Sequence, residues 1–165
     1  MGETASGHRR VLVAGIGNLF LGDDGFGPEV VRGLAASGEL PEHARAVDYG
    51  IRGLHLAYDL LDGYDGLVIV DALPGKGQAG DLTVLRVTED HLGHGDLDPH
   101  GMAPVAVLAS LTQLGGTLPP TYVVGCQPAD VEEGIGLSEA VAAAIPDAIR
   151  AVHAILRDEL VASEV

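Results

Sequence analysis

The stretch Gly66-Leu67-Val68-Ile69-Val70-Asp71 constrains the fold of this chain more than any other. A strand with one face in water alternates apolar and polar side chains. This run does not alternate, so both of its faces must be covered, and a sheet covered on both sides is the parallel kind flanked by helices. The run therefore predicts a central strand. It also closes on a carboxylate, which must be stabilised by a proton, a cation or hydrogen bonds if it is to be buried there.

The rest of the chain fits around that strand. Arg10-Val11-Leu12-Val13-Ala14 reads as another strand buried on both faces and ends at Gly15. From Gly27, apolar Val30, Val31 and Leu34 fall at helical spacing and predict a helix from Asp24 or Gly25 to about Ser37. A second strand is expected at Ala44 to Tyr49. It is followed by a helix with Leu54, Ala57, Tyr58 and Leu61 on its inner face, stopped by Gly63. Leu82 to Val87 is also strand-like, but only the nine residues Leu73 to Asp81 precede it. Parallel crossovers need a dozen or more residues, so this fourth strand is expected to run antiparallel.

A polar, His-rich loop, Thr88 to Gly101, leads to a helix from about Ala103 to Leu114, with Val105, Leu108 and Thr112 on one side and Gly115 and Gly116 as its cap. Pro120 to Cys126 is the fifth strand. Ser138 is an N-cap for a long helix to about Leu160, which Pro146 should kink or split. The order predicts a five-stranded, mostly parallel sheet with helices on both faces, in one domain spanning 1–165 with a flexible polar start at 1–9. In such sheets ligands sit beyond the C-terminal ends of the parallel strands.

Charge and cysteine content exclude several functions. Nine Lys and Arg stand against 24 Asp and Glu, a formal charge of −15, and that field repels nucleic acid. One cysteine, Cys126, rules out an internal disulfide framework and a Cys-rich metal site built from this chain alone. No run approaches the roughly 18 apolar residues of a membrane span, and Met1 to Arg10 lacks the apolar core of a secretion signal, so a cytoplasmic location is expected. Glycine, at 24 residues, is about twice the usual share of ~7% and clusters between the apolar runs as tight connections.

Three acid-bearing loops gather at the expected rim: Gly15 to Asp24, Asp48 to Gly53, and the chain from Asp71 onward. Gly15-Ile16-Gly17-Asn18 invites a dinucleotide reading, but Phe20 stands where a third glycine belongs and no Walker motif occurs. Asp23 and Asp24, at a helix N-terminus, are accounted for by the helix dipole when taken alone. Loop histidines such as His91, His94 and His100 are more often solvated than ligands. Two carboxylates and an imidazole, if brought together, would make a mixed oxygen and nitrogen donor set with open positions, suited to nickel or zinc. Spacing alone does not bring them together.

The combination Gly15-Ile16-Gly17-Asn18…Asp23-Asp24-Gly25-x-Gly27, Asp48-Tyr49-Gly50-Ile51-Arg52-Gly53, Val68-Ile69-Val70-Asp71-Ala72, Pro99-His100, Gly125-Cys126-Gln127-Pro128 and Gly134-Ile135-Gly136-Leu137-Ser138 resembles the hydrogenase maturation proteases, over residues ~10 to ~160. Members of that family remove a C-terminal extension from the large subunit of nickel–iron hydrogenases after nickel is installed. The resemblance implies a three-layer α/β/α sandwich of the phosphorylase/hydrolase-like kind, with a five-stranded mixed sheet and an antiparallel fourth strand. It implies metal contact by Asp24, Asp71 and His100, and catalytic acids at Asp24, Asp71 and Asp48. Many relatives carry Glu where this chain has Asp24. Cys126 matches a variant turn and reads as structural.

The implied nickel is recognised in the substrate and not held permanently, though other divalent ions are able to occupy the same donors. The implied partner is the large-subunit precursor, met by a monomer or weak oligomer with no nucleic acid or membrane involved. Cleavage needs a water activated by a carboxylate or by a metal, or two aspartates sharing a proton. Two rivals are a non-catalytic nickel-binding assembly protein that docks on the immature subunit and a small-molecule hydrolase on the same fold. The Leu19-Phe20-Leu21 tip and the Ile51-Arg52-Gly53 loop are expected to offer a docking surface.

Overall fold

In the computed structural model, which describes residues 10–51, 53–87 and 109–160, the chain lays down β1 (Val11–Ile16), a 3-10 turn (Gly22–Gly25), α1 (Phe26–Ser37), β2 (Ala44–Gly50) and α2 (Gly53–Leu60). β3 (Gly66–Ala72), β4 (Leu82–Val87), β5 (Thr121–Cys126) and α3 (Glu139–Asp158) follow. The strands form one sheet in the order β2-β1-β3-β5-β4. All neighbours are parallel except β4 and β5, so the short Leu73 to Asp81 connection does reverse the chain. β3 is central, and each of its seven residues is buried.

Side-chain parity divides the core into two layers. Val11 and Val13 of β1, Val68 and Val70 of β3 and Val124 of β5 face α1 and α3, where Phe26, Val30, Leu34, Val141, Val152 and Leu156 meet them. Leu12, Ala14, Ile16, Leu67, Ile69 and Val123 face the other way, against Leu56, Ala57 and Leu60 of α2 and Leu111. Because helices close both faces, the interior strands carry aliphatic residues at every position. Burial of each large side chain contributes about 1.5–3 kcal/mol, and the absence of tryptophan and scarcity of phenylalanine leave that task to Val, Leu and Ile.

Four expectations shift. α1 begins at Phe26, and the residues before it form the separate 3-10 turn Gly22–Gly25. On α2 the inner face is Leu56, Ala57 and Leu60, while Tyr58 and Leu61 are exposed. Both sets share Ala57 and have helical spacing, and the sheet takes the wholly aliphatic one. The helical segment visible at 109–113 buries Leu111 and exposes Thr112, and its predicted start at 103–108 lies outside the described residues. Its end matches, since Gly115 and Gly116 donate to the Thr112 and Leu111 carbonyls in a Schellman arrangement.

Pro146 does not split α3, which runs as one 20-residue helix. Proline removes one intrahelical hydrogen bond, but Val141, Ala144, Ala148, Val152 and Ile155 are buried on both sides of it and hold the element to the sheet. Ser138 caps it as expected, its side chain accepting the Val141 amide at 3.4 Å. Residues 1–9 and the His-rich loop fall outside the described residues. Among the described ones, no helix is long and apolar enough to cross a membrane.

Candidate functional site

Parallel β1, β3 and β5 end at one rim, and their registers place Gly15 beside Val70 and Asp71 beside Gly125. Asp71 shares the parity of Leu67 and Ile69, on the α2 side of the sheet. The first loop must bend back sharply to meet it. Gly17 has φ +147°, and a Cβ there would run into the Asp24 carbonyl. Gly27 presses α1 onto the strand ends so closely that a Cβ would meet the Ile16 oxygen at 2.5 Å and collide with the Val70 oxygen. These two glycines let the helix start lie against the end of the central strand.

That approach brings Asp24 to Asp71. The Asp24 Oδ2 accepts the Asn18 amide at 2.8 Å, which fixes this half-buried carboxylate inside the loop. Asp71 is 5% exposed. Burial pushes its carboxyl well above the usual carboxylate range, the neighbouring Asp24 charge pushes it further, and the Ala72 amide opposes both only in part. A pair of acids in which one is biased toward the protonated form can hold one proton between them, ready for both acid and base work.

Of the other expected residues, Asp48 stands apart from this pair. Asp48, at the end of β2, is exposed, and its Oδ1 accepts the Gly50 amide at 2.8 Å in a tight turn. It is not among the charges that act on Asp71. Its loop is nonetheless tied to the first, because the Gly17 amide donates to the Gly50 carbonyl at 2.9 Å. His100 lies outside the described residues. Among the described residues no group of three or more His, Cys, Asp and Glu side chains forms a metal-holding cluster.

Asp23 has a role that sequence reasoning missed. It is 1% exposed and accepts four hydrogen bonds: from the amides of Ala129 (2.8 Å), Asp130 (3.1 Å) and Ser138 (2.7 Å), and from the Ser138 hydroxyl (2.9 Å). Burial alone would raise its carboxyl, but these donors outweigh it and hold the group below its ordinary value. Asp23 thus clasps the glycine loop to the loop after β5, so the two adjacent aspartates divide the work. Asp23 fastens the backbone from which Asp24 reaches Asp71. The only sequence signal was the Asp-Asp pair together with a capping serine far downstream.

Cys126 is buried at the end of β5, and burial with the Asp23 and Asp81 charges pushes its thiol up to about 11. A thiol so disposed is no nucleophile at neutral pH, in keeping with the structural reading.

With this geometry in place, comparison with known proteins is specific. Residues 28–155 match the family model described as hydrogenase maturation protease. The chain is 34% identical over 151 residues to the hydrogenase 2 maturation protease of Escherichia coli, covering 90% of this chain and 92% of that one. It is 30% identical over 149 residues to the coenzyme F420 hydrogenase subunit delta of Methanothermobacter thermautotrophicus, covering 86% and 91%. Among solved structures it is similar to the E. coli hydrogenase maturating endopeptidase HybD, with a TM-score of 0.77 and 32% identity over 90% of this chain and 93% of that one. It also resembles a hydrogenase 2 maturation peptidase from a Thaumarchaeota archaeon, with a TM-score of 0.67 and 35% identity over 87% and 96%.

Proposed function

The chain belongs to the hydrogenase maturation proteases, and from that membership we propose that it cuts the C-terminal extension from a nickel–iron hydrogenase large-subunit precursor by means of the Asp24 and Asp71 carboxyl groups. The observation that carries this reading is the coupling of the two acids at the rim, with Asp71 buried and biased toward its protonated form.

In the proposed reaction, ionised Asp24 takes a proton from the attacking water as the water oxygen bonds to the scissile carbonyl carbon. Protonated Asp71 gives its proton to the departing amide nitrogen as the carbon–nitrogen bond breaks. The products are a new carboxyl terminus and a free amine, and the proton on Asp24 returns to Asp71 or to solvent. Asp48 supports a different duty. Being exposed and turn-bound, it is suited to contact the precursor at the rim and not to share the buried proton.

Nickel enters this reading as part of the substrate. Two carboxyl groups with no third donor grouped beside them among the described residues suit an ion that arrives with ligands of its own, and His100 is the third donor that the family resemblance supplies. Contact of the substrate's nickel with the Asp24 carboxylate and with the unprotonated oxygen of the Asp71 carboxyl would make cleavage conditional on a loaded precursor. The experiment is intact mass of a cognate large-subunit precursor, nickel-loaded and nickel-free, after incubation with this protein. Loss of a C-terminal fragment from the loaded form alone is expected. Equal cutting of both forms would remove the nickel gate, and cutting of neither would favour an assembly protein that docks without hydrolysis.

A further inference from the structure

The rim carries three of the most exposed large apolar side chains in the described structure: Phe20, Ile51 and Ile135, at 67%, 75% and 79% exposure. They come from three loops far apart in sequence, yet Phe20 joins them. On one side it lines a cleft of about 430 Å³ with Asn18, Asp48 and Ile51. On the other it lines one of about 220 Å³ with Glu29, Ile135 and Leu137. The loops beneath are fastened by backbone pairing: Gly22 donates to Gly134 at 2.8 Å, and Gly134 to Phe20 at 2.9 Å. The Asp23 clasp described above joins the same two loops. An apolar ridge on a fixed backbone beside an active rim is a surface that gains by being covered.

Its charge indicates what covers it. Asp48, Asp130, Glu132 and Glu133 are exposed in the same loops, whose sequence sets one basic residue, Arg52 next to Ile51, against these four acids. Arg32, the basic residue among the described ones that line the two clefts, is already paired with Glu29 at 3.0 Å. The chain as a whole carries −15. We infer that Phe20, Ile51 and Ile135 form the docking ridge for the precursor, and that the precursor face it fits is an apolar patch ringed by Lys and Arg. This rests on the proteolytic reading and deepens it by separating recognition, at the ridge, from hydrolysis, at Asp24 and Asp71. The buried apolar centre supplies affinity, while the acidic surround orients and accelerates the encounter.

The test is steady-state processing, alongside direct titration of binding, with the full-length protein and a purified precursor. Phe20→Ser and Ile135→Ser should each raise KM and Kd about tenfold, the cost of losing one anchoring side chain, with kcat and Tm unchanged. Added salt should raise the wild-type KM, as should Glu132→Lys with Glu133→Lys. Unchanged KM and Kd in both serine variants would overturn the ridge, and a KM that falls with salt would overturn the basic partner face. Failure of the proteolytic reading looks different. Wild-type protein that binds the precursor at the ridge but never cuts it leaves the docking inference standing, whereas wild-type protein that neither binds nor cuts removes both.

Discussion

The carboxylate of Asp23 accepts both the backbone amide of Ser138, at 2.7 Å, and the Ser138 hydroxyl, at 2.9 Å, across 115 residues of sequence. One buried acid therefore holds the glycine loop, the loop after β5 and the start of α3 in a fixed relation. Asp23→Asn leaves an amide NH2 facing donors that had an acceptor, and should cost about 2–4 kcal/mol in urea unfolding at neutral pH. Ser138→Ala, which removes one donor and the helix cap together, should cost about 1 kcal/mol.

Asp23 and Asp71 should impose opposite pH dependences on stability. The Asp23 carboxyl is depressed in the folded state, so its contribution is present above the unfolded value near 3.9 and is lost as pH falls through the folded one. The Asp71 carboxyl is raised, so its contribution is complete below the unfolded value and is lost as pH rises through the folded one. Asp71→Asn should therefore stabilise the protein at pH 8 relative to wild type, by about 1.4 kcal/mol for each unit of the shift it removes, with little change at pH 4. Urea midpoints across pH check both signs, and a destabilised Asp71→Asn at pH 8 would contradict the burial argument.

Gly27→Ala should be among the most damaging single-methyl changes in the chain. Its Cβ would meet the backbone of β1 and β3 at once, and backbone cannot turn aside as a side chain can. A loss of about 3 kcal/mol or more is expected by thermal melting. Gly38→Ala makes the useful comparison: nothing lies within 4 Å of its added methyl, and only its positive φ is strained.

Cys126 should be dispensable for hydrolysis. Its buried, raised thiol should resist alkylation in the folded protein and react only on unfolding, and Cys126→Ala should retain processing. Mass spectrometry after iodoacetamide treatment, followed by the processing assay, reads both.

What could be read in the sequence, and what could not, follows from the range of the forces involved. The β3 run announced its own burial, because two covered faces demand apolar residues throughout, and the short Leu73 to Asp81 link fixed the direction of β4 by length alone. Ser138 was legible because a cap is a local motif. The inner face of α2 was not, since two helical stripes shared Ala57 and only the sheet could choose between them. Nor was the continuity of α3 through Pro146, where packing on either side outweighs a local break. Asp23 escaped notice for the same reason: its partners Ala129, Asp130 and Ser138 lie more than 100 residues away, and next to Asp24 it looked like one more acid at a helix start.

The central claim is that Asp24 and Asp71 perform the hydrolysis together. Its most direct test is intact mass of a nickel-loaded cognate precursor incubated with wild-type protein, Asp24→Asn or Asp71→Asn, with folding of each variant verified by circular dichroism and precursor binding measured in parallel. The account predicts release of the C-terminal fragment by wild type, and binding without release by either variant. Wild-type-like release by a folded Asp24→Asn or Asp71→Asn protein would contradict it.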